Sequence, residues 1–379
     1  MVNSPPLQHW SRLPPWARRG VAVVLSLAFT EGLLRIGFLV FAHTTQPNCG
    51  LRPELLGRLI YAYSHARPSP DATDTGGVVP DAHRGYRHAP GLRDRELDGV
   101  RLSTNSLGMR GTREYARPRP PTGVRVAAVG DSFTFGEGVP DDATWPAQLE
   151  RALPGAEVMN LGERAYAHDQ MYFALNDVGM PLEPDAVILG FYANDLWRDE
   201  LTFYCSEKPR FSPASGGWRV ENVPVPTPWA AYDRDRRLPL LYAVPRVLLE
   251  ALVQPTLTDR SGAERATEAI RRMRRLAEDT GARFVLVNLP DHPERPPETN
   301  NFFHDYCAQT SAECVDAWPL FRATAGTDDP EALRARYQRP HDIHYSREGY
   351  AVVAEALRRY FAEHPLARAA RPPSHPSLP

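Results

Sequence analysis

Short apolar runs, each closed by a polar or glycine-bearing turn, recur through the middle and end of this chain and set its expected architecture. The sharpest covers 124–129, where Val124, Val126, Ala127, Ala128 and Val129 carry a single charge, the pattern of a strand buried on both faces. Further strands are predicted at 157–160, 186–192, 283–289 and 313–317. Helical periodicity between them predicts helices over 144–153 and 169–178. Two more are expected, one capped by Ser261 and ended by Gly281, the other a final helix at 346–364 with Tyr350, Val353, Leu357, Tyr360 and Phe361 inward. Strand alternating with helix at this spacing argues for an α/β fold with a parallel sheet and right-handed crossovers.

A different pattern occupies the amino terminus. Residues 21–42 are an apolar run long enough to cross a bilayer as one helix, and Arg12, Arg18 and Arg19 precede it without an acid. The positive-inside rule then leaves the amino terminus in the cytoplasm and exports the remainder. A cleavable signal peptide ending at Val40-Phe41-Ala42 is the other reading of this run, and it exports the chain as well. Glu31 and Arg35 interrupt the run at i,i+4; each costs about 2.5–3.5 kcal/mol in a membrane if unpaired, so they are expected to neutralise each other or to face a partner.

The expected organisation is therefore a tail and transmembrane anchor at 1–45, a linker with one short helix near 53–63 and a small β element at 46–120, a main domain at 121–365, and a disordered tail at 366–379. The β element reads G-V-R-L-S-T-N-S-L-G-M-R-G from Gly99 to Gly111, with turns at Asn105-Ser106 and Gly108. Residues 200–258 break the strand–helix rhythm with proline, aromatic and charged residues, and are expected as an insertion over the carboxyl edge of the sheet or elsewhere on the surface.

Composition narrows the classes. A net charge of -2 and a pI near 6.6 give no basis for a nucleic-acid partner, and Lys208 is the only lysine. The four cysteines, Cys49, Cys205, Cys307 and Cys314, lack zinc spacing and suit an oxidising compartment. Of three possible pairings, Cys307 with Cys314 closes the shortest loop and leaves Cys49 for Cys205.

Four polar pieces fall at predicted strand ends or in the last loop: Ser132 in G-D-S, Gly162 in N-L-G, Asn194 in A-N-D, and Asp342-Ile343-His344. Singly each reads as a cap or a turn residue. Together they supply what acyl transfer needs: a nucleophile, donors for a developing oxyanion, and an imidazole oriented by an acceptor. A P-loop is excluded, since no Lys-Ser/Thr follows Gly136. His168 and His341 are weaker candidates, expected as surface or hydrogen-bonded histidines.

On G-D-S-F-T-F-G-E-G-V (130–139), N-L-G (160–162), A-N-D (193–195) and D-I-H (342–344), the chain resembles the SGNH (GDSL-type) hydrolase superfamily over about 120–365. The resemblance implies a flavodoxin-like sheet, Ser132 as nucleophile, and an oxyanion hole of the Ser132 N–H, the Gly162 N–H and the Asn194 amide. It also implies His344 as general base, oriented by Asp342. The chain departs from the family pattern in placing Tyr192 where the third block often has glycine, and in D-x-H where D-x-x-H is common. The function implied is a serine esterase without cofactor or metal, acting on ester bonds, with O-acyl groups on an extracytoplasmic carbohydrate as the expected substrate. O-acyl transfer to a glycan and a non-catalytic glycan-binding role are the alternatives.

Overall fold

In the computed structural model the described residues are 14–45, 49–65, 77–97, 99–253, 260–290 and 301–369. They form two compact units: one from residues up to 69 together with 228–256, the other from 70–227 and 257 onward.

The larger unit is built on five parallel strands, β1 (Val124–Val129), β2 (Ala156–Asn160), β3 (Ala186–Phe191), β4 (Arg283–Asn288) and β5 (Glu313–Asp316), in the order β5-β4-β3-β1-β2. This is the flavodoxin-like order, in which β1 and β3 flank the point where the winding reverses. The register sets Ala128 opposite both Asn160 and Ile188, so the carboxyl ends of β1, β2 and β3 lie side by side.

Alternate residues of each strand face opposite layers. Val126, Ala128, Val158, Ile188 and Val287 pack with Trp145, Leu149, Val353 and Leu357, while Ala127, Val129, Met159, Val187 and Leu286 pack with Met171, Ile270 and Met273. All of these are buried. Each such aliphatic side chain contributes about 1.5–3 kcal/mol by leaving water, which makes this double-sided core the main support of the sheet. The helix Trp145–Ala152 starts where Thr144 Oγ1 accepts the Ala147 N–H (3.3 Å), and Arg347–Glu363 starts where Ser346 Oγ accepts the Gly349 N–H (3.2 Å).

Several expectations are corrected. The helix expected over 169–178 is His168–Ala174 followed by a single π turn, Leu175–Gly179. Ser261 does not cap its helix, which begins at Arg260; its hydroxyl donates instead to Glu200 Oε1 at 2.6 Å. Helices Asn301–Gln309, Trp318–Ala325 and Pro330–Tyr337 were not anticipated. The rhythm-breaking stretch is largely ordered: Phe203–Tyr204 pairs with Ser206–Glu207 and Arg210–Ala214 with Gly217–Glu221. Phe211 packs against Tyr172 and beneath Arg272, setting this hairpin on the helix layer. The lone lysine is buried here, with Lys208 Nζ bonded to Asp169 Oδ2 and to two carbonyls. Residues 228–256 belong to the smaller unit.

A disulfide joins Cys307 to Cys314, and no cysteine among the described residues is free. The segment 77–111 contains two hairpins, Val78–Asp81 with Gly85–His88 and Arg95–Leu97 with Val100–Leu102, and one isolated bridge from Thr104 to Arg110. Of the expected disordered tail, 370–379 lie outside the described residues, as do 1–13 with Arg12.

In the smaller unit, helix Pro15–Thr44 is long and apolar enough to cross a membrane. Leu34 and Phe38 pack with Leu55, Leu59, Tyr63, Leu240 and Ala243 from helices Glu54–Ser64 and Leu240–Val253. Glu31 and Arg35 form an ion pair at 2.7 Å.

Candidate active site

The turn that carries Ser132 is fixed from several sides. Asp131 caps it, its Oδ1 accepting the Phe133 N–H at 2.9 Å, and the short helix Ser132–Phe135 ends at Gly136 in the left-handed region (φ 85°). Behind the turn Arg110 donates to the carbonyls of Phe135 (3.5 Å), Gly136 (3.3 Å) and Val139 (2.6 Å) while bonded to Asp141 (2.6 Å). Asn160 Nδ2 donates to Thr134 O at 3.0 Å. Carbonyls left open at a helix end are thus satisfied without water.

Opposite this turn, Gln338 and Tyr345 pair across the last loop, and the Arg339 N–H donates to His344 O at 2.9 Å. The loop presents His344 with Nε2 2.8 Å from Ser132 Oγ and Nδ1 2.8 Å from Asp342 Oδ1. Asp342 Oδ2 accepts from Arg339 Nη1 at 2.5 Å. With a carboxylate at Nδ1, the imidazole proton sits there and Nε2 accepts from the serine hydroxyl. Such a set can take the hydroxyl proton as Oγ attacks a carbonyl. The Phe133 ring packs against the His344, Tyr345 and Tyr192 rings, which limits the swing of the imidazole.

Two of the three expected oxyanion donors are already engaged. The Gly162 N–H donates to Asn160 Oδ1 at 3.0 Å, and Asn194 Nδ2 donates to Tyr192 Oη at 2.8 Å. Glycine is required at 162 by close approach: a Cβ there would lie 2.3 Å from Phe135 N. The Ser132 N–H lies in the first turn of its helix, where backbone donors have no intrahelical acceptor.

The sequence of residues 128–352, more than half of the chain, matches the model of the GDSL-like Lipase/Acylhydrolase family. The chain belongs to this family. It is a hydrolase acting on ester bonds. Its structure is similar to the lipase/acylhydrolase from Enterococcus faecalis, with 16% identity over 65% of this chain and 100% of that one and a TM-score of 0.38. It is also similar to a family 3 carbohydrate esterase from Clostridium thermocellum, at 14% identity over 64% and 96% with a TM-score of 0.39. No curated protein matches the chain.

The electrostatics of the GDSL-like site raise the proton affinity of His344. Burial opposes charge on His344, but the hydrogen bond to Asp342 and the carboxylates of Glu137, Asp342 and Asp131 outweigh it and raise its pKa above the ordinary value. Glu137 Oε2 lies 3.6 Å from His344 Nε2, and Glu137 Oε1 is held by Arg164 at 2.7 Å. The hydrogen bond with His344 draws the Asp342 carboxyl well below its usual range against the opposing effect of burial, with Arg339 adding to the lowering. Burial raises the Asp131 pKa, and burial with the nearby Asp131 charge raises that of Asp195. Asp195 binds Arg198, whose Nη1 is 3.6 Å from Asp131.

The two weaker histidine candidates lie outside the chain of hydrogen bonds from Ser132 to Asp342. His168 is buried and bonded through Nδ1 to Asp199 at 2.7 Å, and His341 is exposed. The sequence reading missed Arg110, Glu137, Tyr192 and Arg339. Arg110 and Glu137 lie inside runs quoted above and Tyr192 and Arg339 lie just outside them, but a partner met only across a tertiary contact carries no local signal.

Proposed function

We propose that this hydrolase is a serine esterase working through an acyl-enzyme. Ser132 Oγ attacks the acyl carbonyl as its proton passes to His344 Nε2, and Asp342 holds the imidazole and balances its charge. The oxyanion is received by the Ser132 N–H, the Gly162 N–H and Asn194 Nδ2. The last two leave their neutral acceptors, Asn160 Oδ1 and Tyr192 Oη, because a hydrogen bond to an anion is roughly twice as strong. His344 then protonates the leaving alcohol and afterwards activates water. The observation that carries this reading is the unbroken chain from Ser132 Oγ through His344 to Asp342, with both links at 2.8 Å.

The substrate proposed is an O-acyl group on an extracytoplasmic carbohydrate. A cleft of about 310 Å³ lined by Arg334, Gln338, Arg339, His341, Asp342 and Ile343 offers side-chain hydrogen-bonding groups to a polyhydroxyl alcohol. Helix Pro15–Thr44 serves as the anchor, with Arg18 and Arg19 on the cytoplasmic side and the catalytic domain outside. The test is to supply an activated acyl donor and follow the acyl group with and without an oligosaccharide acceptor. Acyl loss to water alone supports the esterase; a stable acyl-enzyme discharged only by the glycan makes it a transferase. A periplasm-specific reporter fused after Tyr360 should be active, and a cytoplasm-specific one silent.

A further inference from the structure

The smaller unit leaves a large apolar surface without cover. Helix Leu240–Val253 packs Leu240 and Ala243 inward with Val244 beside them, yet Leu248, Leu249 and Leu252 on its outer side are 59%, 63% and 79% exposed. Its polar residues are confined to one stripe, where Arg246 and Glu250 pair at 2.7 Å. The helix it packs on is equally bare: Val23, Val24, Phe29, Leu33 and Ile36 of Pro15–Thr44 are exposed, and none of that helix's most apolar stretch is buried. Between the two helices runs an apolar groove of about 360 Å³, lined by Leu33, Leu34, Phe38, Phe41 and Val244.

The charges inside the apolar run complete the pattern. Glu31 accepts the N–H groups of Leu240 and Leu241, both at 2.9 Å, and so caps the second helix from outside its own sequence. Arg35 binds Glu31 and donates to the carbonyls of Arg236 (2.6 Å) and Leu238 (3.0 Å) and to Tyr63 Oη (2.9 Å). The peptide groups where the chain turns from helix Pro228–Arg237 into Leu240–Val253 are those a helix ladder cannot satisfy. In hydrocarbon each such group left open costs several kcal/mol, and water is not there to serve it. An ion pair on an apolar helix, spent on four such groups of a neighbouring segment, is a solution to that problem.

We propose that helix Leu240–Val253 is embedded in the bilayer beside helix Pro15–Thr44, with Glu31 and Arg35 closing its entry turn. This inference rests on the reading of Pro15–Thr44 as an anchor. At 14 residues the second helix is about 21 Å long, short of the roughly 30 Å hydrocarbon core, so it enters one leaflet without crossing. The occupant of the bare surface is lipid because that surface continues around the outer sides of both helices, and a second copy would cover one stripe and leave the rest in water.

The test uses the full chain in phosphatidylcholine vesicles, with an environment-sensitive fluorophore on single introduced cysteines; the native cysteines, being disulfide-bonded, do not label. Leu249→Cys reports the proposal, Phe29→Cys the anchor, and Arg359→Cys the aqueous surface. Quenching by acyl-chain nitroxide lipid at 249 and 29 but not at 359 is expected. Quenching at 29 with iodide access at 249 overturns the proposal and leaves the anchor standing. No lipid quenching at either site removes the anchor reading itself. A probe at 249 shielded from both quenchers means that protein covers this face, which also overturns the proposal. Glu31→Ala should abolish lipid quenching at 249 and retain it at 29; unchanged quenching at 249 would refute the capping role.

Discussion

The two halves of the proposed catalytic constellation are built differently. Ser132 stands on a turn locked into the core: β1 is buried below it, Asp131 caps it, and Arg110 and Asn160 hold its last carbonyls. His344 sits in a surface loop, where the side chains of Asp342 and Arg339 are about a quarter exposed and the imidazole is aimed by two hydrogen bonds and the Phe133 ring. Placement of the proposed nucleophile is therefore a property of the fold, whereas placement of the proposed base depends on a few polar contacts. Changes behind the turn should act through stability, and changes in the loop through catalysis alone.

The largest effect expected is from Ser132→Ala, which should lower kcat by about 10⁶ with an unchanged melting temperature, since it removes one hydroxyl from an intact turn. Measurable turnover within a few-fold of the parent enzyme would remove Ser132 from its role. Asp342→Asn should cost about 10⁴ in kcat through the wrong imidazole tautomer, again without loss of stability. A parallel fall in melting temperature would show the loop to be structural and dissolve the contrast. Asn194→Ala should cost about 10²–10³ in kcat with KM little changed. A KM effect alone would place it in ground-state binding.

Arg110→Met tests the other side of the comparison. It strands Asp141 and leaves the carbonyls of the turn open, so unfolding free energy should drop by about 3 kcal/mol, with kcat following only as folded protein is lost. Denaturant melts read this directly; normal stability with lost kcat would reverse the assignment. The smallest effect concerns pH. His344 must be neutral to accept the serine proton, and its pKa is raised, so activity should fall as pH drops through a value above that of an ordinary histidine. Glu137→Gln removes one of the carboxylates that favour the imidazolium, and should move that acid limb to lower pH. An unmoved limb would exclude Glu137 from the electrostatics of the base.

The sheet was legible because its three central strands, β1, β3 and β4, are buried on both faces and read as apolar runs, and the strand ends then suggested one edge for Ser132, Gly162 and Asn194. What escaped notice lacked such a pattern. Arg110 acts across a tertiary contact, and nothing in its neighbours distinguishes it from a surface arginine. Trp318–Ala325 and Pro330–Tyr337 are short and open on proline-bearing turns, so their periodicity is too brief to register. Leu240–Val253 contains Pro245, which removes one bond from the helix ladder and interrupts the helical pattern of a stretch already rich in proline. The engagement of the Gly162 N–H by Asn160 depends on a side-chain rotamer, which no spacing encodes.

The central claim is that the acyl group passes through Ser132. Mixing the full-length enzyme with an activated ester, quenching in acid and mapping peptides by mass should show one acyl adduct, on the peptide containing Ser132, accumulating in a burst and lost in step with product release. Ser132→Ala should show none. Steady turnover with no adduct, or an adduct on another side chain that persists in Ser132→Ala, would contradict the account.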